Sequence, residues 1–316
     1  MRGRDLAALV LLAAIWGSSY LFIRVTVEPL GPLVVAFLRV AIAAVGLLAF
    51  ATFARRRGEI PRLEPRFAVL GICNAVIPYG LIALAELHIT ASMAGILNAT
   101  TPLFTAMVVA GWNKERISAR TLIGLGIGFA GVAVLVGWDP APLSGWLVIA
   151  VSAMLVASLS YAIATVYAKR MLHGVSFLGA ATGQQISATI ILLPFGLVTV
   201  ATGSSDTSPS IRVALAIVAL GLLCTSVAYQ LYFHLIASVG AVNTASATFL
   251  IPIFGILWSA IFLNEAVHAV MLIGLALILA SVGLVNGVRV PGGVLRLVPQ
   301  PRRIWALARA PHRYRR

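Results

Sequence analysis

Charge is scarce in this chain. Of its 316 residues only 10% are Asp, Glu, Lys or Arg, and 9 are acidic, where an average soluble domain carries about 25% charged residues. So few charges cannot cover the surface of a soluble protein of this length, which excludes an ordinary globular fold in water. Cysteine is nearly absent as well. Cys73 and Cys224 both lie within apolar runs, so there is no disulfide framework and no CxxC metal spacing, and both read as small core residues. His/Cys clusters, HExxH helices, phosphate loops and nucleophile elbows are missing too. The reading is therefore no metal, no cofactor and no catalytic group. The glycines crowded between Gly124 and Gly131 form no nucleotide loop, because no strand precedes them.

What is present is apolar: 60% of the residues are hydrophobic. Segments of spanning length fall near 6–26, 33–53, 67–87, 91–112, 120–138, 146–168, 175–200, 212–236, 241–263 and 269–288, each close to the ~20 residues that cross a bilayer. The expected fold is all-α: a polytopic membrane protein of ten transmembrane helices, with the lipid bilayer as its first partner. Residues 1–27 resemble a signal peptide in their leading Arg2 and Arg4. The apolar run is longer than a typical h-region and no small-x-small site follows, so it is read as the first span. The segment from Gly203 to Pro209 reads as a turn-rich loop.

The formal net charge is +14, but its distribution argues against nucleic acid. Basic residues sit in short gaps between apolar runs and in the tail rather than on one polar face. Threading ten spans with the N-terminus inside places Arg2, Arg4, Arg55, Arg56, Arg57, Arg62, Arg66, Lys114, Arg116, Arg120, Lys169 and Arg170 in the cytoplasm, with Arg212 nearly alone outside. The excess of Lys and Arg on cytoplasmic loops then predicts both termini inside. The tail 289–316, rich in arginine and holding Trp305, is expected to be a disordered polar extension or to lie on the anionic leaflet.

The chain repeats itself. At an offset of 150 positions Leu70-Gly71 meets Leu220-Gly221, Tyr79 meets Tyr229, Pro102 meets Pro252, Phe104 meets Phe254 and Glu115 meets Glu265. Earlier in the chain an offset of 145 brings Trp16 onto Tyr161, Arg24 onto Lys169 and Arg39 onto Gln184. The halves run over residues 1–138 and 146–288, five spans each. An odd number inserts the second half upside down, giving two inverted five-helix repeats. Many secondary transporters share this plan and move one half against the other around a midplane site. A channel or a membrane enzyme is compatible with the same repeat.

Trp16-Gly17-Ser18-Ser19, Phe37-Leu38-Arg39, the run Asn98 to Phe104, the run Thr248 to Phe254 and Leu263-Asn264-Glu265 resemble the EamA pattern of the drug/metabolite transporter superfamily. The resemblance covers roughly residues 6–288. It implies ten spans as two five-span repeats and a bacterial inner-membrane exporter of amino acids or other small metabolites, monomeric or homodimeric.

Several residues are candidates for contact with a small-molecule substrate. Pro102 and Pro252 each remove a helical hydrogen bond and push on the carbonyl four residues earlier, that of Asn98 or Thr248. Two such breaks at matching positions mark a lined cavity or, alternatively, kinks relieved by Thr100, Thr101 or a neighbouring helix. Arg39 lies ~9 Å from the end of its span at ~1.5 Å rise per residue. It either snorkels, pairs with Glu86 or Glu28, or faces inward to hold a carboxylate. Trp16, Tyr20, Tyr79, Tyr161 and Tyr229 place rings with polar handles inside spans, where they line a cavity or pack. Gln184, with Gln185, Thr165 and Thr182, adds neutral hydrogen-bonding groups that serve a solute or join helices.

Other features read as structural. Arg24 and Lys169 are anchors near span ends. The small residues Gly124, Gly128, Gly131, Gly274 and Ser281 let spans five and ten pack against each other or a second subunit. Glu115 and Glu265 each precede the next span, where a helix N-terminus favours a carboxylate. No acidic residue falls at a midplane position, and Glu86, His88 and His234 lie toward span ends, so the sequence offers no intramembrane proton relay. The best reading is a carrier working by alternating access. A membrane-embedded binding or scaffold protein without transport is the alternative.

Overall fold

The structure is a computed structural model that describes residues 3–114, 116–137, 144–202, 209–240, 244 and 246–286. Glu115, most of the loop from Gly203 to Pro209, and the tail fall outside the described residues. Among the described residues all regular structure is helical. The helices are α1 (Gly3–Leu30), α2 (Pro32–Phe53), α3 (Pro65–Ala85), α4 (Ala91–Asn98), α5 (Thr101–Asn113), α6 (Ala119–Gly137), α7 (Gly145–Met171), α8 (Phe177–Ala201), α9 (Ile211–Val239), α10 (Ala247–Leu263) and α11 (Ala269–Asn286). With α4 and α5 counted as one span, eight are long and apolar enough to cross a membrane, and α10 and α11 are two shorter apolar helices. Large apolar side chains such as Val45, Leu197, Ile211 and Leu272 stay exposed on outer faces. That is the expected cost-free arrangement when hydrocarbon is the solvent.

Polar groups at helix ends are satisfied locally. Thr90, Ser144 and Ser210 precede α4, α7 and α9, and their hydroxyls accept from the amides of Met93, Leu147 and Val213, as N-cap residues do. Lys114 and Asn264 close α5 and α10 in the left-handed conformation, at φ 54 each. Two helices widen into π turns, α3 over Ile72–Val76 and α9 over Ala219–Val227. Such bulges are rare, and each swings its side chains off the regular helical stripe.

Helices α6 and α11 pack face to face, as do α1 with α10 and α2 with α8. The first pairing is the one foreseen for spans five and ten: Gly131 lies against Gly274, and the Ser281 hydroxyl donates to the Gly124 carbonyl. The closest approach of α1 to α10 is at Gly17. A Cβ there would lie 2.6 Å from the Phe254 Cβ and 2.9 Å from the Ile251 carbonyl oxygen, so only glycine permits this contact.

Contacts between span ends define two ends of the bundle. At one, Arg66 donates to the Met171 carbonyl, Arg170 reaches Asn113, and the Gly179 position abuts the Glu59 carbonyl. This end carries Arg55, Arg56, Arg57, Arg62, Arg66, Lys114, Arg120, Lys169 and Arg170. The other end holds Glu28, Glu86, His88 and Glu265, with His88 stacked on Trp146 at 4.8 Å. The Glu265 carboxylate accepts from the amides of Ala91 and Ser92 and from the Ser92 hydroxyl, at 2.7–3.0 Å. It therefore caps α4, from the opposite half of the chain, rather than the following α11. The reason is geometric: the left-handed Asn264 turns the chain back over the bundle, where α4 presents unpaired amides.

Three substitutions test this packing. Gly17→Leu should destabilise the protein by about 1–3 kcal/mol through overpacking, whereas Gly126→Ala, with open space around it, should be neutral or slightly stabilising. Glu265→Ala removes an acceptor of three hydrogen bonds and should cost about 2 kcal/mol. Unfolding midpoints in mild detergent read all three.

Candidate functional site

Arg39 projects from the N-terminal half of α2 and is 6% exposed. It does not snorkel, and it pairs with neither Glu28 nor Glu86. Its Cζ lies 3.8 Å from the centroid of the Tyr79 ring on α3, and its Nε donates to Thr225 Oγ1 on α9 at 3.2 Å. A guanidinium keeps its charge wherever it is buried, so it needs both the ring face and the hydroxyl. Glu28 is instead bound to Arg24 at 3.2 Å.

Around this cation the bundle gathers neutral polar groups. Asn74 on α3 donates through Nδ2 to Gln184 Oε1 at 3.0 Å and to the Tyr229 hydroxyl at 3.2 Å. Gln184 on α8 donates through Nε2 to the same hydroxyl at 2.9 Å. Tyr161 on α7 packs against the small group that contains Tyr79, Ala75 and Ala188. Five of the foreseen residues, Arg39, Tyr79, Tyr161, Gln184 and Tyr229, thus meet in one place. No acidic side chain is among the groups bonded to them.

Asn74 and Thr225 belong to this cluster and were not foreseen. Both lie in the π turns, whose extra residue per turn rotates them inward. A polar residue within an apolar run was visible at each position, but hydropathy alone gave no direction to its side chain.

The remaining candidates stand elsewhere. Tyr20 of α1 is buried between Gly95 of α4 and Gly255 of α10, with the Asn98 side chain against its hydroxyl. Trp16 packs on Tyr232 with centroids 5.4 Å apart. Thr165 is exposed and donates back to the Tyr161 carbonyl on its own helix. Pro102 begins α5 just after a break at Ala99 and Thr100, and the freed Asn98 carbonyl accepts from Thr101 Oγ1 at 2.8 Å. Pro252 breaks nothing. It sits with Thr248 inside a continuous α10, whose second turn runs on through the proline.

A cleft of about 500 Å³ opens at the basic end between α2, α8 and α9, lined by Phe50, Arg56, Phe177, Gln230, Phe233 and His234 among others. Phe233 stacks on Phe177 at 5.1 Å and on Tyr229 at 5.8 Å. Aromatic faces thereby connect the cleft wall to the polar cluster. The Gln230 Nε2 on this wall is buried without a partner. Beside the cleft Arg56 is paired with Glu59, which holds the Glu59 carboxyl below the usual carboxylate range. Among the described residues no group of three or more His, Cys, Asp or Glu is placed to hold a metal.

Known proteins resemble this chain. The EamA-like transporter family matches twice, over residues 5–137 and 148–287. The inner membrane transporter YedA of Escherichia coli (strain K12) is 29% identical over 90% of this chain and 93% of its own length. The transporter YvbV of Bacillus subtilis (strain 168) is 29% identical over 90% and 92%. A probable terminal-alkyne amino-acid exporter of Streptantibioticus cattleyicolor is 27% identical over 88% and 92%. One solved crystal structure superposes with a TM-score of 0.63 at 19% identity, over 90% of this chain and 96% of the other, so the fold is shared. Two matches that together take in nearly the whole helical bundle leave one assignment: the chain belongs to the EamA-like transporter family.

Proposed function

We propose that this protein exports a small carboxylate-bearing metabolite, an amino acid or a close relative, across the bacterial inner membrane. The observation that carries the reading is the buried, cationic Arg39. It is set among the hydroxyls and amides of Tyr79, Tyr161, Gln184, Tyr229 and Asn74, with no carboxylate bonded to it. A fixed guanidinium with donors around it suits a carboxylate, which accepts several hydrogen bonds at once. The aromatic faces of Phe233 and Phe177 suit an apolar side chain and lead from the cleft to Tyr229. The amino-acid exporter among the relatives supports the same class.

Alternating access of two inverted halves is the mechanism we favour. The family pattern occurs twice. The π turns of α3 and α9, and the left-handed caps Lys114 and Asn264, fall at matching positions of the two halves. Contacts also come in exchangeable pairs: α1 packs on α10 as α7 packs on α5, and α1 on α9 as α7 on α3. In this state the cleft at the basic end is open, while the Glu265 carboxylate ties α4 to the end of α10 at the other. The basic end is cytoplasmic by the excess of Lys and Arg there, which puts both chain ends inside and directs the cleft toward the cell interior.

Two measurements test these proposals. Full-length protein in liposomes should take up members of an amino-acid panel saturably, with stimulation by counterflow. Arg39→Gln should weaken apparent affinity roughly ten- to a hundredfold, as the loss of a charged hydrogen bond of about 1.5–3 kcal/mol implies. Arg39→Lys, which keeps charge but loses the flat fork, should fall between. Silence for every solute, or unchanged affinity in a folded Arg39→Gln protein, refutes the reading. For orientation, a membrane-impermeant maleimide on whole cells should label Ile211→Cys and leave Arg57→Cys untouched.

A further inference from the structure

Glu86 follows the last turn of α3 at the closed end of the bundle, away from the cleft. It is the one acidic side chain among the described residues that is 0% exposed, and neither of its carboxylate oxygens has a hydrogen-bond partner. The charged and titratable groups that face it are Tyr20 and Arg24 of α1, Arg39 of α2, and Glu265 after α10. Each is already engaged. Arg24 binds the Glu28 carboxylate and donates to the backbone carbonyl of Glu86, not to its side chain. Arg39 is committed to Tyr79 and Thr225. Glu265 spends its carboxylate on α4 and sets a second negative charge nearby. Helix α7, which also packs on α3, contributes Tyr161, which faces Tyr79 and Arg39.

An ionised carboxylate enclosed without a donor is among the most unfavourable arrangements a protein interior can hold, while the neutral acid avoids most of that cost. Closing this end of the bundle around Glu86 therefore requires the proton. We propose that Glu86 is a proton-binding site: it carries a proton while the end around it is closed, and opening that end releases the proton. On opening, the O–H bond of the acid breaks, its electron pair remains on the carboxylate, and entering water takes the proton. This use of the site rests on the alternating-access reading, and it would tie one proton to each opening. Raising the pH then favours the open form, because the closed form binds the extra proton.

The test uses full-length protein in liposomes and needs no substrate. Infrared difference spectra should show a protonated-carboxyl band near neutral pH that shifts in heavy water and is missing in Glu86→Gln. Nitroxide labels at Leu33→Cys and Val267→Cys, two exposed positions at that end, should report open and closed populations. Their ratio should rise with pH by up to about tenfold per unit in the wild type. It should do so again in Glu86→Asp and stay flat in Glu86→Gln. Absence of the band, a wild-type ratio independent of pH, or an unchanged slope in Glu86→Gln overturns the proposal. If Glu86→Gln does not fold, a Glu86→Asp protein that keeps the band but loses the slope overturns it equally. Open and closed populations whose ratio does not move with pH refute the proton site alone, whereas no open population at any pH refutes alternating access as well.

Discussion

A guanidinium buried in a helix bundle cannot lose its proton to ease its own desolvation, so the bundle must be built around it. Arg39 imposes this condition on α2, α3 and α9 together. Tyr79 must lie flat beneath the charge and Thr225 must turn a hydroxyl toward it. The helices that supply them must come close. Gly221 of α9 makes that approach possible, since a Cβ there would sit 2.6 Å from the Ile42 Cβ and 3.2 Å from the Arg39 carbonyl oxygen. The π turns belong to the same solution. They aim Asn74 and Thr225 inward from helices whose regular stripe is committed to packing.

The division between the two ends of the molecule follows from where polar groups are left unmet. At the basic end the charged side chains are exposed or paired, as Arg56 is with Glu59, and the cleft enters there with the Gln230 Nε2 buried unpartnered on its wall. At the other end the amides of α4 are capped by a carboxylate from a distant part of the chain and Tyr20 is wedged between two glycines. The Glu265 carboxylate ties α4 to the end of α10 there, while both carboxylate oxygens of Glu86 at the same end stay without a partner.

Much of this was legible in the residues. Ten apolar stretches became eight spanning helices and two shorter ones, and the small residues of α6 and α11 did mark a close helix pair. Arg39, Gln184 and three tyrosines were identified by being polar where an apolar residue is expected. The misses share one cause: sequence spacing assumes a regular helix and a nearby partner. Asn74 and Thr225 point inward only because of the π turns. Glu265 lies just before α11 in the chain yet serves α4, which lies far away in sequence. Pro252 matches Pro102 in position, but α10 runs on through it while the α4–α5 span breaks just before Pro102. Glu86 was placed correctly near a span end, but closeness to an end does not reveal whether neighbouring helices fold over it.

The bond network of Glu265 also constrains how the molecule can move. Three hydrogen bonds to two successive residues hold the start of α4 to the end of α10 as a splice joins two beams. Separating them means giving up all three at once. A parting of this end that keeps the three bonds carries the start of α4 and the end of α10 along together, and Glu86 lies at the same end.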